Sequence, residues 1–303
     1  MNPAYKRRII KALEYIESQL ATPLSLEIIS EHCHFSPFHF HRIFSGAMNE
    51  TLNNYIARRR LEKAANFLVF KRDKSITEIA YDCGFSSSAN FSRAIKQYFG
   101  YTPKEIRQPK NEDISRLGRI FDKYGKVFDP TDFYREKTAI KTSYDASIIV
   151  EVKELATMRL AKLKSTRGYQ SDSLFQTWDD LSKWGELQNI ALEKQFRLAW
   201  CYDNPAVTPL DKCRYEASIE VDNDTSIAEP FTEAYLPQGS YAFLHVKGTS
   251  EDVNHAQKYL FSEWLPYSRF EPDNLPMLEH YINDVRIDGL IETEIILKLR
   301  RLG

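Results

Sequence analysis

The 303-residue chain lacks several features that would place it outside the cytoplasm. Its four cysteines include no CxxC pair, which suits a reducing compartment better than a disulfide framework. No apolar run approaches the roughly 18 residues that a membrane-spanning helix needs. The opening stretch MNPAYKRRIIKALEYIES is charged and helical in pattern, without the apolar region of a signal peptide. A cytoplasmic protein with no membrane partner is therefore expected. There is no phosphate loop and no nucleophile with a base and an orienting group, so the sequence gives no reason to expect an enzyme.

Net charge is also nearly absent, at −1, but the average conceals a division. Residues 1–110 hold 17 Lys and Arg against 10 Asp and Glu, a net of +7; the remainder holds 24 against 32, a net of −8. The basic part suits a polyanion. The acidic part argues against DNA contact there and leaves room for a cationic ligand. At 43% hydrophobic and 27% charged, each part can bury its own core.

What is present, above all, is a repeat. SLEIISEHCHFSPFHFHRIF at Ser25–Phe44 returns as SITEIAYDCGFSSSANFSRAI at Ser75–Ile95. Leu26, Ile29, Cys33, Phe35 and Ser36 recur as Ile76, Ile79, Cys83, Phe85 and Ser86; after one extra residue, Phe40 and Arg42 recur as Phe91 and Arg93. Each copy reads as a helix, a tight turn and a second helix. Ahead of them, Tyr5–Leu20 places Ile9, Leu13, Ile16 and Leu20 on one helical face. Ser25 is placed to cap the next helix, with Ile28 and Ile29 toward a core. Ser36 is placed to cap a helix starting at Pro37. A longer helix from Thr51 or Leu52 to about Phe70 carries Leu52, Ile56, Leu61, Ala65 and Leu68 as its apolar stripe. Its roughly 30 Å approaches the roughly 34 Å of one turn of B-DNA. Such a connector suits two recognition helices in successive major grooves of an asymmetric site.

The stretch Ser75–Pro103, with I-x-x-I-A-x-x-x-G-F-x-x-x-x-x-F-x-R and a closing F-G-Y-T-P-K, resembles the signature of the AraC/XylS transcription regulators. The resemblance covers about residues 4–108. It implies an all-α domain with two helix-turn-helix units, double-stranded DNA as partner and RNA polymerase as a further one. It also implies that early recognition-helix residues read bases: by motif position Phe38, His41 and Arg42 in the first unit, and Ser88, Asn90 and Arg93 in the second. The chemistry agrees. Arg42 and Arg93 can each donate twice to guanine O6 and N7, and Asn90 can pair with adenine. Ser88 and Ala89 are short, which leaves the second unit fewer base contacts. Arg58, Arg59, Lys63, Lys96 and Lys104 read as phosphate contacts. His32, Cys33, His34, His39 and His41 are metal-ligating types, but Cys33 matches Cys83 in a copy without nearby histidines, so it reads as core. No metal or cofactor is expected.

Residues 109–146, with Pro109, Gly118, Gly125 and Pro130, read as a linker. Beyond it the order strand, helix, strand, strand occurs twice. The first round is Met158–Lys164, Asp172–Trp184, Arg197–Tyr202 and Arg214–Val221; the second is Ser240–Lys247, Asp252–Trp264, Met277–Asn283 and Thr293–Leu299. This predicts an α+β domain over 147–303 with internal pseudosymmetry, in which CYDNPAVTP answers HYINDVRID.

Five stretches resemble the GyrI-like effector-binding domain of multidrug-responsive regulators: Trp200–Pro205, Arg214–Glu216, Leu236–Ala242, Trp264–Pro266 and Pro276–Asp284. An AraC-type front on this back resembles the Rob-like subgroup, with a small-molecule effector. Alternation puts Glu279 and Tyr281 on one strand face, and the repeat makes Trp200 and Tyr202 their counterparts, expected to line one cleft with them. Tyr241 and Phe243 add to it from a neighbouring strand, with Trp264 beside them, and Glu294 forms a second acidic wall with Glu216 as its weaker repeat partner. A carboxylate buried among aromatic rings calls for protonation or a cation, and the L-E-x-Y match implies that role for Glu279. Against this stand a solvated Glu279, or one paired with Arg286, and plain core packing for the aromatics. Two alternatives remain for the acidic half: a small-molecule hydrolase with Glu279 as base, or a protein-interaction module.

Overall fold

The computed structural model describes residues 2–108, 148–191, 196–205 and 208–302. The linker expected at 109–146 lies outside them. The described residues of Lys6–His34 and Met48–Thr142 form one compact unit; those of Met1–Tyr5, Phe35–Ala47 and Ser143–Gly303 form the other.

The first unit is helical. It holds most of α1 (Pro3–Ser18), then α2 (Leu26–His32), and later α4 (Leu52–Phe70), α5 (Ile76–Asp82), α6 (Ser88–Phe99) and α7 (Pro103–Arg107). Of the two expected caps Ser25 holds and Ser36 does not, and side-chain caps also form at Thr51, Ser75 and Ser87. Ser25, Thr51, Ser75 and Ser87 each accept a backbone N–H of the first turn, and at Ser75 the Glu78 side chain completes a capping box. The α4 stripe Leu52, Ile56, Leu61, Ala65 and Leu68 is buried as expected. Its second half packs with Ile79, Cys83, Phe91, Ile95, Phe99 and Ile106. Ile29 is buried, but Ile28 is 44% exposed. The buried side of α2 is formed by Ile29 and Ser30, and Ile28, about 100° round the helix from Ile29 on the other flank, points away from it.

The turns of the two repeat copies differ in strain. Gly84 has φ +80, and a Cβ there would lie 2.3 Å from the Leu20 carbonyl oxygen. The corresponding residue of the first copy is His34, also left-handed at φ 56, where a side chain carries a steric cost.

The second unit holds α3 (Pro37–Met48, through Ala47) and the α+β part. Strands β1 (Val150–Leu155), β2 (Met158–Lys164), β3 (Arg197–Cys201), β4 (Tyr215–Glu220), β5 (Thr232–Leu236), β6 (Gly239–Gly248), β8 (Met277–Tyr281) and β9 (Ile291–Arg301) form one antiparallel sheet, ordered β1-β6-β9-β8-β3-β4-β2-β5; β7 (Phe270–Pro272) pairs with β9. The helices α8 (Ser171–Leu187) and α9 (Ser250–Tyr259) supply the other layer, and α9 runs into a π-turn at Leu260–Trp264. The expected order appears twice, as β2-α8-β3-β4 and β6-α9-β8-β9. The halves meet where β3 pairs with β8.

Register decides which side chains share a face. One row across the sheet is Phe243, Ile296, Leu278, Trp200, Glu216; the next is Leu244, Ile295, Glu279, Ala199, Ala217. Successive rows point to opposite faces, so Trp200 and Glu279 lie on opposite sides of the sheet.

Candidate ligand cavity and nucleic-acid interface

The face that carries Glu279 and Tyr281 is lined further by Cys201 and Tyr215, with α8 and α9 contributing Trp178 and Gln257. The α8 residues Leu174, Trp178 and Leu181 are spaced to face one side. Two adjoining cavities result, of about 310 and 210 Å³, which share Leu174, Tyr215, Ser250, Tyr281 and Ile291. The larger runs between Phe175, Trp178 and Tyr281. The smaller holds Glu279, Gln257, Cys201, Tyr169 and, from α3, Arg42.

Glu279 is 8% exposed. Gln257 Nε2 donates to its Oε1 at 2.8 Å and the Tyr281 hydroxyl donates to its Oε2 at 2.7 Å. Both donors are neutral. Burial pushes the Glu279 carboxyl above its ordinary value, while the Tyr281 hydroxyl, the Arg42 charge and Gln257 pull the other way. Around it the rings are fixed: the Trp178 ring stands edge-on to Tyr281 at 5.7 Å, and Trp178 Nε1 donates to the Tyr215 hydroxyl at 2.8 Å. Burial and the neighbouring Glu279 push the Cys201 thiol well up, so it is not a thiolate nucleophile. Arg286 is occupied with Asp179 and Asp284 rather than with Glu279. The site is thus a carboxyl whose burial penalty Arg42 and the two donors only partly offset, at the end of an aromatic-walled cavity, suited to a compact cation with apolar substituents.

The single cleft expected from the internal repeat is divided by the sheet. Trp200, Tyr241 and Phe243 lie on the opposite face, in a core with Leu160, Leu198, Leu236, Leu278 and Ile296. Each polar demand there is met within the chain. Trp200 Nε1 donates to Ser218 Oγ, the Tyr241 hydroxyl donates to the Pro237 carbonyl, and Lys162 sits 5.0 Å over the Trp200 ring. Tyr202 donates to Glu216 at 2.5 Å, and Lys162 pairs with the same carboxylate. Glu294, also on that face, pairs with His280 at 3.0 Å, and Lys153 lies over Phe243. Trp264 stacks on Phe270. The physical reason is register. Aligning CYDNP with HYIND sets Trp200 against Glu279, whereas the strands set Ala199 against Glu279, and a one-residue shift reverses the face. Gln257, Trp178, Tyr215 and Tyr169 went unnoticed in the sequence; the i, i+4 pair Leu174 and Trp178 was the available signal.

The two sets of base-reading candidates sit in contrasting surroundings. On α6, Phe91, Ile95 and Phe99 are buried, while Ala89, Asn90, Arg93, Lys96 and Gln97 form an exposed stripe and Ser88 is half-buried at the helix start. On α3, by contrast, residues 39–44 are all buried. Phe38 meets the Tyr202 ring at 6.2 Å. His39 Nε2 donates to the Leu275 carbonyl at 2.6 Å, and its ring stacks on Phe261. Arg42 donates to the Asp203 carbonyl at 3.3 Å and lies over Phe261. Burial is the main force lowering the Arg42 guanidinium and holding His39 and His41 at about 3. The Ser36 hydroxyl, expected as a cap, donates to Asn274 Oδ1 at 3.2 Å.

Of the phosphate candidates, Lys96 and Lys104 are exposed and Lys63 rests over Phe67. Arg58 and Arg59 are engaged: Arg58 bridges Glu50 and Glu62, and Arg59 bridges Glu17 and Glu62. Among the histidines weighed for metal, His32 stacks on Tyr15 at 4.0 Å. Cys33 is a buried thiol pushed up to about 11. Among the described residues no helix is long and apolar enough to cross a membrane, and no group of three or more His, Cys, Asp or Glu could hold a metal ion.

Comparison with known proteins matches both parts. Residues 29–109 match a helix-turn-helix domain family, and residues 149–300 match the GyrI-like small molecule binding domain family. The chain is 37% identical over 98 residues to the probable transcription factor PqrA of Proteus vulgaris, covering 32% of this chain and 80% of that protein. It is 34% identical over 103 residues to the regulatory protein PocR of Salmonella typhimurium, covering 34% of each; the chain thus spans about a third of that relative's length. Among solved structures, a transcriptional regulator with an AraC-type DNA-binding domain from Chromobacterium violaceum is 29% identical, over 36% of this chain and 100% of its own, with a TM-score of 0.33.

Proposed function

The chain belongs to the AraC-type DNA-binding transcription regulators that carry a GyrI-like small molecule binding domain, and on that premise we propose that it is an activator answering a lipophilic cation. Its recognition helices α3 and α6 read adjacent major grooves of an asymmetric site. Arg42 and Arg93 supply the shared contacts, and the residues around them, Phe38 and His41 against Ser88 and Asn90, make the half-sites differ. Lys96 and Lys104 fix position through phosphates, and RNA polymerase is the partner the bound protein engages. The effector lies between Trp178 and Tyr281 with its charge toward Glu279.

The observation that carries the ligand class is the Glu279 carboxylate. It is buried, held by two neutral donors and pushed up by desolvation. A cation beside it relieves that penalty, and a neutral molecule of the same shape does not. The test compares tetraphenylphosphonium with the neutral triphenylphosphine oxide. The cation raises the melting temperature of the full chain and the neutral compound does not; equal shifts would remove charge from the recognition.

DNA binding is tested by duplex affinity against salt. A decline of log K with log salt is expected, and a flat line would rule out phosphate neutralisation.

A further inference from the structure

The face of α3 that touches the effector-binding domain is the face that α6 leaves open. Between the copies, Phe40 and Arg42 stand where α6 has Phe91 and Arg93. On that alignment the exposed α6 stripe of Ala89, Asn90, Arg93, Lys96 and Gln97 corresponds to Phe38, His39, Arg42, Ser45 and Gly46. Four of those five have named contacts in the domain: Phe38 on Tyr202, His39 on Leu275 and Phe261, Arg42 on Asp203 and Phe261, and Gly46 on Ser262. A helix docked by this face cannot present it to a major groove.

Gly46 gives an independent sign that the contact is built in. Glycine inside a helix costs about 1 kcal/mol relative to alanine, and α6 has Gln97 at that place. In α3 a Cβ at position 46 would lie 2.9 Å from Ser262 Cα. That neighbour is backbone, which cannot step aside as the end of a flexible side chain can, so only glycine permits the approach.

The contact is also incompletely satisfied. His41 Nε2 and Ser45 Oγ are buried without a hydrogen-bond partner, and the Arg42 bonds are long, at 3.4 Å to Phe38 and 3.3 Å to Asp203. Buried polar atoms without partners weaken the state that holds them. Arg42 lines the Glu279 cavity and its charge acts on that carboxylate.

We propose that docking of α3 is an autoinhibitory contact in which Arg42 serves as the cavity's resident cation, and that an effector cation displaces it and frees α3 to read DNA. This rests on the assignment of Glu279 as the cation site. Effector and Arg42 compete for one carboxylate, so the effector favours the undocked state, and undocking favours both effector and DNA.

The test uses the full chain, tetraphenylphosphonium and a duplex enriched from a random pool on that chain. Gly46→Gln installs the α6 residue and Ser262→Glu adds bulk on the other side; the glutamate adds no positive charge that could attract DNA. Thermal melts establish which variant is folded, and either one decides. The expected result is that the cation tightens wild-type binding to the duplex about tenfold, while the variants bind that tightly without it and gain little on its addition. If the folded variants bind no more tightly than wild type while the cation still shifts the melting temperature, the autoinhibitory role is overturned and the cation site stands. If the cation shifts no melting temperature, the Glu279 assignment and the displacement step fall. A gain in the variants would then leave only the autoinhibitory contact.

Discussion

Replacing Glu279 by glutamine should make the empty protein more stable and the cation-bound protein harder to form. The change keeps the shape and removes the charge. Gln257 retains an acceptor at Oε1, and the Tyr281 hydroxyl can rotate to accept from the new amide. The carboxyl is raised by burial from its ordinary 4.5. A carboxyl raised in the folded state contributes stability below 4.5 that is lost as pH climbs through the raised value. Above that window wild type holds a desolvated charge that Glu279→Gln lacks. Wherever that charge is present the melting temperature of Glu279→Gln should exceed that of wild type, by a margin that widens as pH climbs through the raised value and shrinks below it. The same charge attracts a cation about 4 Å away by roughly 4 kcal/mol at an effective dielectric of about 20. Losing about 2–4 kcal/mol weakens tetraphenylphosphonium binding about 30-fold or more. Melts from pH 5 to 8 with calorimetric titration of the cation measure both. Identical melting curves and equal cation affinity in the two proteins would refute the reasoning.

Acid should loosen α3. His39 and His41 are held at about 3 against an ordinary 6.5, so the docked state keeps them neutral; Arg42 opposes their protonation and Asp203 and Asp273 favour it. Docking is therefore at full strength above pH 6.5 and weakens below it by about 1.4 kcal/mol per histidine per pH unit. Amide exchange in α3, corrected for intrinsic rates and measured in Glu279→Gln to remove that carboxyl's opposing trend, should accelerate at pH 5.5; a flat profile counts against it. His34→Gly, which relieves a left-handed residue, should raise the urea midpoint by the equivalent of about 0.5–1 kcal/mol. Gly84→Ala should lower it because its Cβ would meet the Leu20 oxygen; a midpoint that falls for His34→Gly contradicts the strain argument. Arg93→Ala should cost about 1–3 kcal/mol on an enriched duplex and flatten preference at one position, whereas Lys96→Ala should reduce the salt slope by about 1. An unchanged preference in Arg93→Ala removes it from base reading.

The helical half was legible because each signal there is local. The cap at Ser25, the helix start at Thr51 or Leu52 and the α4 stripe all operate within a few residues. The strands that went unread are β1, β5 and β7. The edge strands β1 and β5 are mostly exposed and carry little alternation, and β7 has three residues. Glu279 and Tyr281 could be paired from their spacing alone. Trp200 could not be assigned to a face, because the repeat alignment fixes equivalence only to within a residue and a sheet inverts on that residue. Gln257 and Arg42 reach the cavity from helices far along the chain, where no periodicity reports them. The burial of α3 did leave a trace. Gly46 stands where α6 has Gln97, and a glycine inside a helix marks a close approach by a neighbour.

The most direct test of ligand control is the reciprocal measurement. The affinity of tetraphenylphosphonium for the full chain is determined by titration with and without a saturating enriched duplex. If cation and DNA favour the same released state of α3, the duplex tightens cation binding by the factor by which the cation tightens duplex binding. Cation affinity that is the same with and without DNA, or weaker with it, would contradict the account.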